Sequence, residues 1–466
     1  MGNSGALSQS LYAGPCPPPV PVGRWRPPDP EIALGLGFYS STTPPLSGRL
    51  KEQAEEFRVR EISSYPIPSP DGEYTVLRIV SRNWEQHELG QRIAERLRLP
   101  PHAISWAGTK DRRAVTERLA SYRGLPPEGE LGMRDVEIVE AYRARDGLVL
   151  GHHYGNVFTL RIGRLADSAI AEATVRSAAR ELSDAGGFPN FFGLQRFGEV
   201  RPVTHAVGRA LLRDGPGAAV EVYLTAAAEG AEVVGGEARR SYASHHDPVR
   251  ALKEFPPQFR FERQLLDHLA RGHTADRALR ALSRELRQLF VHAFQALIFN
   301  RWVTARASSQ LSLIDPVPGD WLLRVVRDGT LPGNQPVPVS DDNLEEARRM
   351  VEKGRARLAG PLVGFETPPG TGAPGSLLDD LLEAEHIARG SFRLPSAPEI
   401  ASRGTWRPLL VPMPPLGISR GDPEGNPGVP DHAPDGLWLT FALPKGAYAT
   451  VLLREFLKSG AIASGV

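Results

Sequence analysis

Residues 105–123 read SWAGTKDRRAVTERLASYR and set one carboxylate, Asp111, between Lys110 and the pair Arg112 and Arg113. Cations within about 4–6 Å stabilise the charged form of a carboxylate and lower its pKa by roughly 1–3 units. An acid held in that way stays ionised and can act as a nucleophile or a base. The same cations could grip phosphates. The competing reading is a solvated loop of mixed charge, which is what such runs usually form. Adjacent side chains can face opposite ways, so the spacing leaves open which cation points at Asp111.

Other chemistries need residues that the chain does not supply. The single cysteine, Cys16, lies in a Pro-rich start and cannot form an internal disulfide or a cysteine-based metal site. His152 and His153, and His245 and His246, are adjacent pairs, so neither pair can share one metal-binding face of a helix. TKDR lacks the residue that a guanine-recognition loop places between Lys and Asp, and no GxxxxGK[ST] phosphate loop occurs. No GxSxG nucleophile turn is present. A hydrolase built on Asp111 would need a second carboxylate or a His at a workable spacing, and none is found.

The totals bound the rest. A length of 466 residues suggests two to four domains, and 41% hydrophobic residues are enough to build their cores. No run of 18 apolar residues occurs, so no membrane-spanning helix is expected. The start lacks the basic and apolar regions of a secretory signal, which points to a cytoplasmic, reduced protein. Net charge is only +1, which does not announce a nucleic-acid binder. Of the 55 cations only six are Lys and 49 are Arg, a bias that a GC-rich genome also produces. Locally, Arg239 to Arg306 holds thirteen Lys/Arg against six Asp/Glu. That excess could face a phosphate backbone, or it could be a set of solvated helix faces.

The elements that must position these residues are read from periodicity. Residues 1–30 are rich in Pro and Gly and are expected to be a disordered tail, with structure beginning near Leu50. FRVREI (57–62) alternates, with Phe57, Val59 and Glu61 on one side, and YTVLRIV (74–80) is apolar and β-branched, so both read as strands. HELGQRIAERLRL (87–99) spaces Leu89, Ile93 and Leu97 as a helix stopped by Pro100. AISWAG is a short strand, and AVTERLASYR starts as a helix or a strand. VFTLRIGRL (157–165) reads as a strand, and 168–187 as an amphipathic helix closed by Gly186 and Gly187. A long helical region is expected from Phe261 to Ala307, and a linker over 414–436. LWLTFALP (437–444) then reads as a strand and 447–460 as a helix. Strand pairs mixed with helices indicate an α+β fold rather than a doubly wound parallel sheet.

Three segments stand out together: AGTKDRRAVTER (107–118), FPNFFGLQRFG (188–198) and LPKGAYATVLLREFLK (443–458). As a set, they resemble the TruD family of tRNA pseudouridine synthases. Weaker blocks follow in the family's order: LKEQAEEFRVREI (50–62), GHHYGNVFTLRI (151–162), HAFQALIFN (292–300) and SRGTWRPLL (402–410). The chain departs from the family at Ala54-Glu55-Glu56, where Pro-Glu-Asp is usual, and at Tyr448, where some relatives carry Phe.

The resemblance implies a pseudouridine-synthase core with a central mixed, mostly antiparallel sheet, and an inserted family-specific α/β (TRUD) domain. The expected division is 31–204 for the first part of the catalytic domain, 205–415 for the insert, and 416–466 for a linker and the second part. The implied reaction isomerises uridine to pseudouridine in tRNA, usually at position 13, without metal or cofactor. Asp111 falls on the family's catalytic aspartate. Lys51 matches a basic residue that reaches the site, Asn190 the active-site asparagine, Phe192 a pocket aromatic and Tyr448 the stacking aromatic. Glu61 is expected to be a buried structural partner, and Gln195, Arg196 and Phe197 to brace their turn. The expected partner is tRNA, with other RNAs open, on a monomer. The alternative is a non-catalytic RNA-binding protein on the same scaffold.

Overall fold

The computed structural model of the protein describes residues 25–108, 110, 113–198, 201–226, 235–325, 335–425 and 435–458. Asp111 and Arg112 therefore lie outside the described residues, as do residues 1–24 of the expected tail. Contacts divide the chain into two compact units. One joins Ser41–Phe188 to Pro412–Val466, and the other joins the chain up to Ser40 to Pro189–Val411. These breaks differ from the expected 204/205 and 415/416, because 189–204 packs with the second unit.

The first unit is built on a nine-stranded sheet. Its strands are β1 (Arg49–Leu50), β2 (Phe57–Ile62), β3 (Tyr74–Arg82), β4 (Ser105–Trp106), β5 (Val115–Arg123), β6 (Val136–Ala144), β7 (Gly155–Gly163), and two further strands late in the chain, Gly417–Ser419 and Leu437–Pro444. The order is Gly417–Ser419, Leu437–Pro444, β7, β2, β5, β3, β6, with β1 on β7 and β4 on β5. Among the described residues, only the β2–β5 pair of this sheet is parallel. The sheet is thus mixed and mostly antiparallel.

Side chains alternate across a strand, so register fixes who shares a face. Phe57, Val59 and Glu61 face the same way as their β7 partners Leu160, Phe158 and Asn156. The helix Gln86–Arg96 seats Leu89 and Ile93 on Leu77, Ile79, Ala120 and Tyr122. Its start is fixed by the Glu85 carboxylate, which accepts from the His87 and Glu88 amides at 2.9 and 3.0 Å. Asp167 caps the helix Ser168–Asp184 in the same manner. The final helix, Ala449–Leu457, is held by Ser41, whose amide donates to Glu455 Oε2 at 3.0 Å. Lys458 then donates to Ser41 Oγ and Thr43 Oγ1 at 2.7 and 3.1 Å.

The second unit is mainly helical, around the buried helix Arg284–Ser308. It adds a small antiparallel sheet of Trp321–Arg324, Val337–Pro338, Ala356–Leu362 and Thr405–Pro408. Structure begins earlier than expected. The helix Asp29–Ala33 precedes a buried run of Leu34, Leu36, Phe38 and Tyr39. This run lies along the long helix, where Thr304 Oγ1 donates to the Gly35 carbonyl at 2.6 Å. Leu34, Leu36 and Phe38 alternate with glycines at a spacing of two, in a run with no assigned strand.

Three further expectations gain detail. The helical region 261–307 is divided into three helices, Arg260–Ala270, Ala275–Ala281 and Arg284–Ser308. Gly272 with positive φ ends the first, and Thr274 and Ser283 cap the next two. Within the expected linker, Gly417–Ser419 pairs with the sheet. The Arg excess at 239–306 is partly internal. Arg239 pairs with Glu262 at 2.5 Å, Arg301 with Glu385, Arg287 with Glu399, and Arg306 forks onto Asp320 at 2.6 and 2.9 Å. Those four guanidiniums are buried and are not available to phosphate. Arg240, Lys253, Arg260 and Arg277 remain exposed.

Candidate active site

In the first unit, the loop that leads from β4 to β5 carries Lys110 inward. Its Nζ lies 2.7 Å from Glu61 Oε2, and the two side chains are 2% and 1% exposed. Burial lowers the Lys110 pKa, the Glu61 charge opposes that fall, and Arg118 adds to it. Arg118, on β5, is itself pushed down to about 10 by burial. Among the described residues, the other oxygen of Glu61 is buried without a hydrogen-bond partner, as are His153 Nδ1 and Asn156 Oδ1. The His153 pKa is lowered by burial first and by Lys110 next.

This packing explains Gly108. A Cβ at that position would sit 2.9 Å from His153 Cε1 and 3.2 Å from Lys110 Nζ. The glycine of the GTKD run is there for space, since the imidazole and the ammonium fill the side-chain position.

Lys110 is engaged by Glu61, and Arg113 donates to the Glu52 carbonyl at 2.9 Å. Glu61 is a buried partner, as expected. Lys51 is the further basic candidate. It is 5% exposed, and its Nζ lies 4.2 Å from the centre of the Phe57 ring. Its φ of 55° places a non-glycine residue in the left-handed region. Such conformations cost about 1–3 kcal/mol and gather at functional sites. Tyr448 is half-buried at the start of the helix Ala449–Leu457, where its carbonyl accepts from the Val451 amide at 3.1 Å.

A second set of site candidates lies in the other unit. The Asn190 amide donates to the Leu409 carbonyl at 2.8 Å, and Asn190 Nδ2 donates to the Pro408 carbonyl at 3.0 Å. Arg407 donates from Nε to the Asn190 carbonyl at 2.8 Å and from Nη2 to Asn190 Oδ1 at 2.6 Å. Asn300 brackets the backbone of Phe192, accepting from its amide at 2.8 Å and donating to its carbonyl at 3.0 Å. The Phe192 ring is nearly buried, with the Arg407 guanidinium 4.0 Å away on its face and Phe299 edge-on at 5.8 Å. Phe188, Phe191 and Phe197 are fully buried core, and Arg196 flanks Phe192 at 5.6 Å.

Sequence reading did not single out Asn300 and Arg407. A signal was present: both lie in blocks that follow the family's order, HAFQALIFN (292–300) and SRGTWRPLL (402–410). A buried amide or guanidinium persists where it meets fixed polar partners. A cavity of about 250 Å3 opens elsewhere in the sheet unit, lined by Arg58, Arg60, Val115, Glu117, Thr159 and Thr440. Arg58 and Arg60 alternate with Phe57, Val59 and Glu61, so this cavity is on the face opposite Glu61.

With this geometry in hand, the sequence matches the family described as tRNA pseudouridine synthase D (TruD) over residues 33–456. It is 36% identical over 447 residues to a probable tRNA pseudouridine synthase D of Halobacterium salinarum, covering 93% of this chain and 98% of the relative. A protein of the same description from Methanococcoides burtonii is 31% identical, over 92% and 98% of the two chains. The crystal structure of the putative tRNA pseudouridine synthase D from Methanosarcina mazei superposes with a TM-score of 0.75 at 30% identity, covering 94% of this chain and 99% of that one. No described helix is long and apolar enough to cross a membrane.

Proposed function

The chain belongs to the TruD family of tRNA pseudouridine synthases, and we propose that it acts on uridine 13 of tRNA with Asp111 as its catalytic carboxylate. The protein is an isomerase that converts uridine in tRNA to pseudouridine. The observation that carries the site reading is the extent of the family match. Residues 33–456 include Lys51, Asp111, Asn190, Phe192 and Tyr448.

The reaction breaks the bond from uracil N1 to the ribose and forms one from C5 to the same sugar carbon. N1 ends protonated and C5 loses its proton, so atoms and electrons balance without an oxidant. An ionised Asp111 acts as nucleophile or base in this exchange. Lys51, which matches the family's basic residue that reaches the site, is the cation proposed to hold that charge. Its strained backbone and burial support the assignment.

The target base is stacked in folded tRNA and must be extruded, at a cost of a few kcal/mol. Stacking on an aromatic returns about 1–3 kcal/mol. Tyr448 takes that role, and its hydroxyl can also carry a proton. Asn190 and Phe192 match the family's active-site asparagine and pocket aromatic. The test is Asp111→Asn, which is expected to bind tRNA with wild-type affinity and to form no pseudouridine by chemical mapping. Turnover at the wild-type rate would overturn the assignment of Asp111, and mapping of the modified position would decide uridine 13.

A further inference from the structure

Asn190 carries an amide whose two ends differ in chemistry: an oxygen that accepts and an NH2 that donates. Its surroundings allow only one orientation. Oδ1 meets Arg407 Nη2 at 2.6 Å, and a guanidinium has donors only. Nδ2 meets the Pro408 carbonyl at 3.0 Å, and a carbonyl only accepts. Turning the amide over would set NH2 against guanidinium and oxygen against oxygen, two repulsive contacts in a site that is 4% exposed. Arg407 is itself held, by its Nε bond to the Asn190 carbonyl at 2.8 Å and by the Phe192 ring 4.0 Å from its guanidinium.

We infer that Arg407 is a positioning residue for base identity, locking the Asn190 amide so that it reads uracil and rejects cytosine. The inference rests on the reading that Asn190 addresses the extruded base. After its two internal bonds, the amide keeps one N–H and one oxygen lone pair. Uracil presents a carbonyl oxygen at C4 beside the N3–H, and the remaining N–H and lone pair match that pattern. Cytosine presents an amine at C4 beside an N3 acceptor, which is the reverse. An amide free to turn could serve both bases, whereas a locked one serves only the first. Pseudouridine formation uses uracil alone, so a cytidine held in the pocket would only occupy the enzyme.

The experiment compares binding of two tRNAs to the full-length protein. One carries uridine at the position the wild-type protein modifies, and the other carries cytidine there. Wild type is expected to prefer the uridine form by roughly 5- to 100-fold, the usual range for one bidentate base contact. Arg407→Gln, whose side chain both donates and accepts, is expected to lose at least about fivefold of that preference. Arg407→Lys has donors only and is expected to keep most of it. Arg407→Met keeps the stem against Phe192 and is the second variant should the Gln protein unfold, with the same loss expected. A residue that is merely structural would weaken both tRNAs by one factor, so a Gln or Met variant with the wild-type ratio overturns the inference. Asn190→Ala separates the two ideas. If it leaves the ratio unchanged, the reading of Asn190 has failed. If it lowers the ratio while Arg407→Gln and Arg407→Met do not, only the lock has failed.

Discussion

Replacing Glu61 with Gln tests the buried pair beneath the loop. The Lys110 and Glu61 side chains are 2% and 1% exposed, and their charged atoms are 2.7 Å apart. Removing one partner of such a pair leaves a charge uncompensated and costs about 3–5 kcal/mol. Lys110 softens that cost, because burial already lowers its pKa and the ammonium can shed its proton. We expect a loss of about 3 kcal/mol near neutral pH, read by urea denaturation with amide exchange on β2. The pH dependence has a definite sign. In Glu61→Gln the folded chain holds fewer protons than the unfolded chain, where the lysine keeps its ordinary value of 10.5. Stability of the variant therefore rises with pH until about that value. The double variant Glu61→Leu/Lys110→Met removes both charges and the partnerless Glu61 oxygen. Apolar replacements of buried pairs are often neutral or stabilising, so it should lie within about 1 kcal/mol of wild type. A single substitution that costs less than about 1 kcal/mol, or a double as damaged as the single, would refute the account of a dry, coupled pair.

Two other perturbations test half-buried histidines. Burial, aided by Arg196, pushes the His292 pKa down to about 4 from 6.5. The unfolded chain takes up the proton first, so stability falls as pH drops from 6.5 towards 4, by at most about 3 kcal/mol. His292→Gln should flatten that part of the denaturation profile, and an unchanged slope would remove His292 as its source. Gly108→Ala places a methyl 2.9 Å from His153 and should cost about 1–3 kcal/mol by overpacking. Thermal melts should show a smaller loss in a His153→Ala background; equal losses would mean that the imidazole is not the obstacle.

The sequence by itself determined most of the sheet unit and the family. Alternation in FRVREI and the short apolar run LWLTFALP located Phe57–Ile62 and Leu437–Pro444, since both are local properties of the chain. The long blocks around Asp111 and Asn190 indicated the family, which the relatives then established. The ambiguous AVTERLASYR became a strand because β2 and β3 pair with it on both sides, a choice made by neighbours distant in sequence. The partners of charged groups were likewise decided only by the tertiary structure. Lys110 stands beside Asp111 in sequence yet pairs with Glu61, 49 residues away, and four arginines of the basic stretch turn inward to carboxylates. Composition counts charge but carries no direction, and a side chain's partner depends on which strands and helices are brought within about 3 Å of it. For the same reason Asn300 and Arg407, 108 and 217 residues from the segment they hold, emerged only once three distant blocks had met.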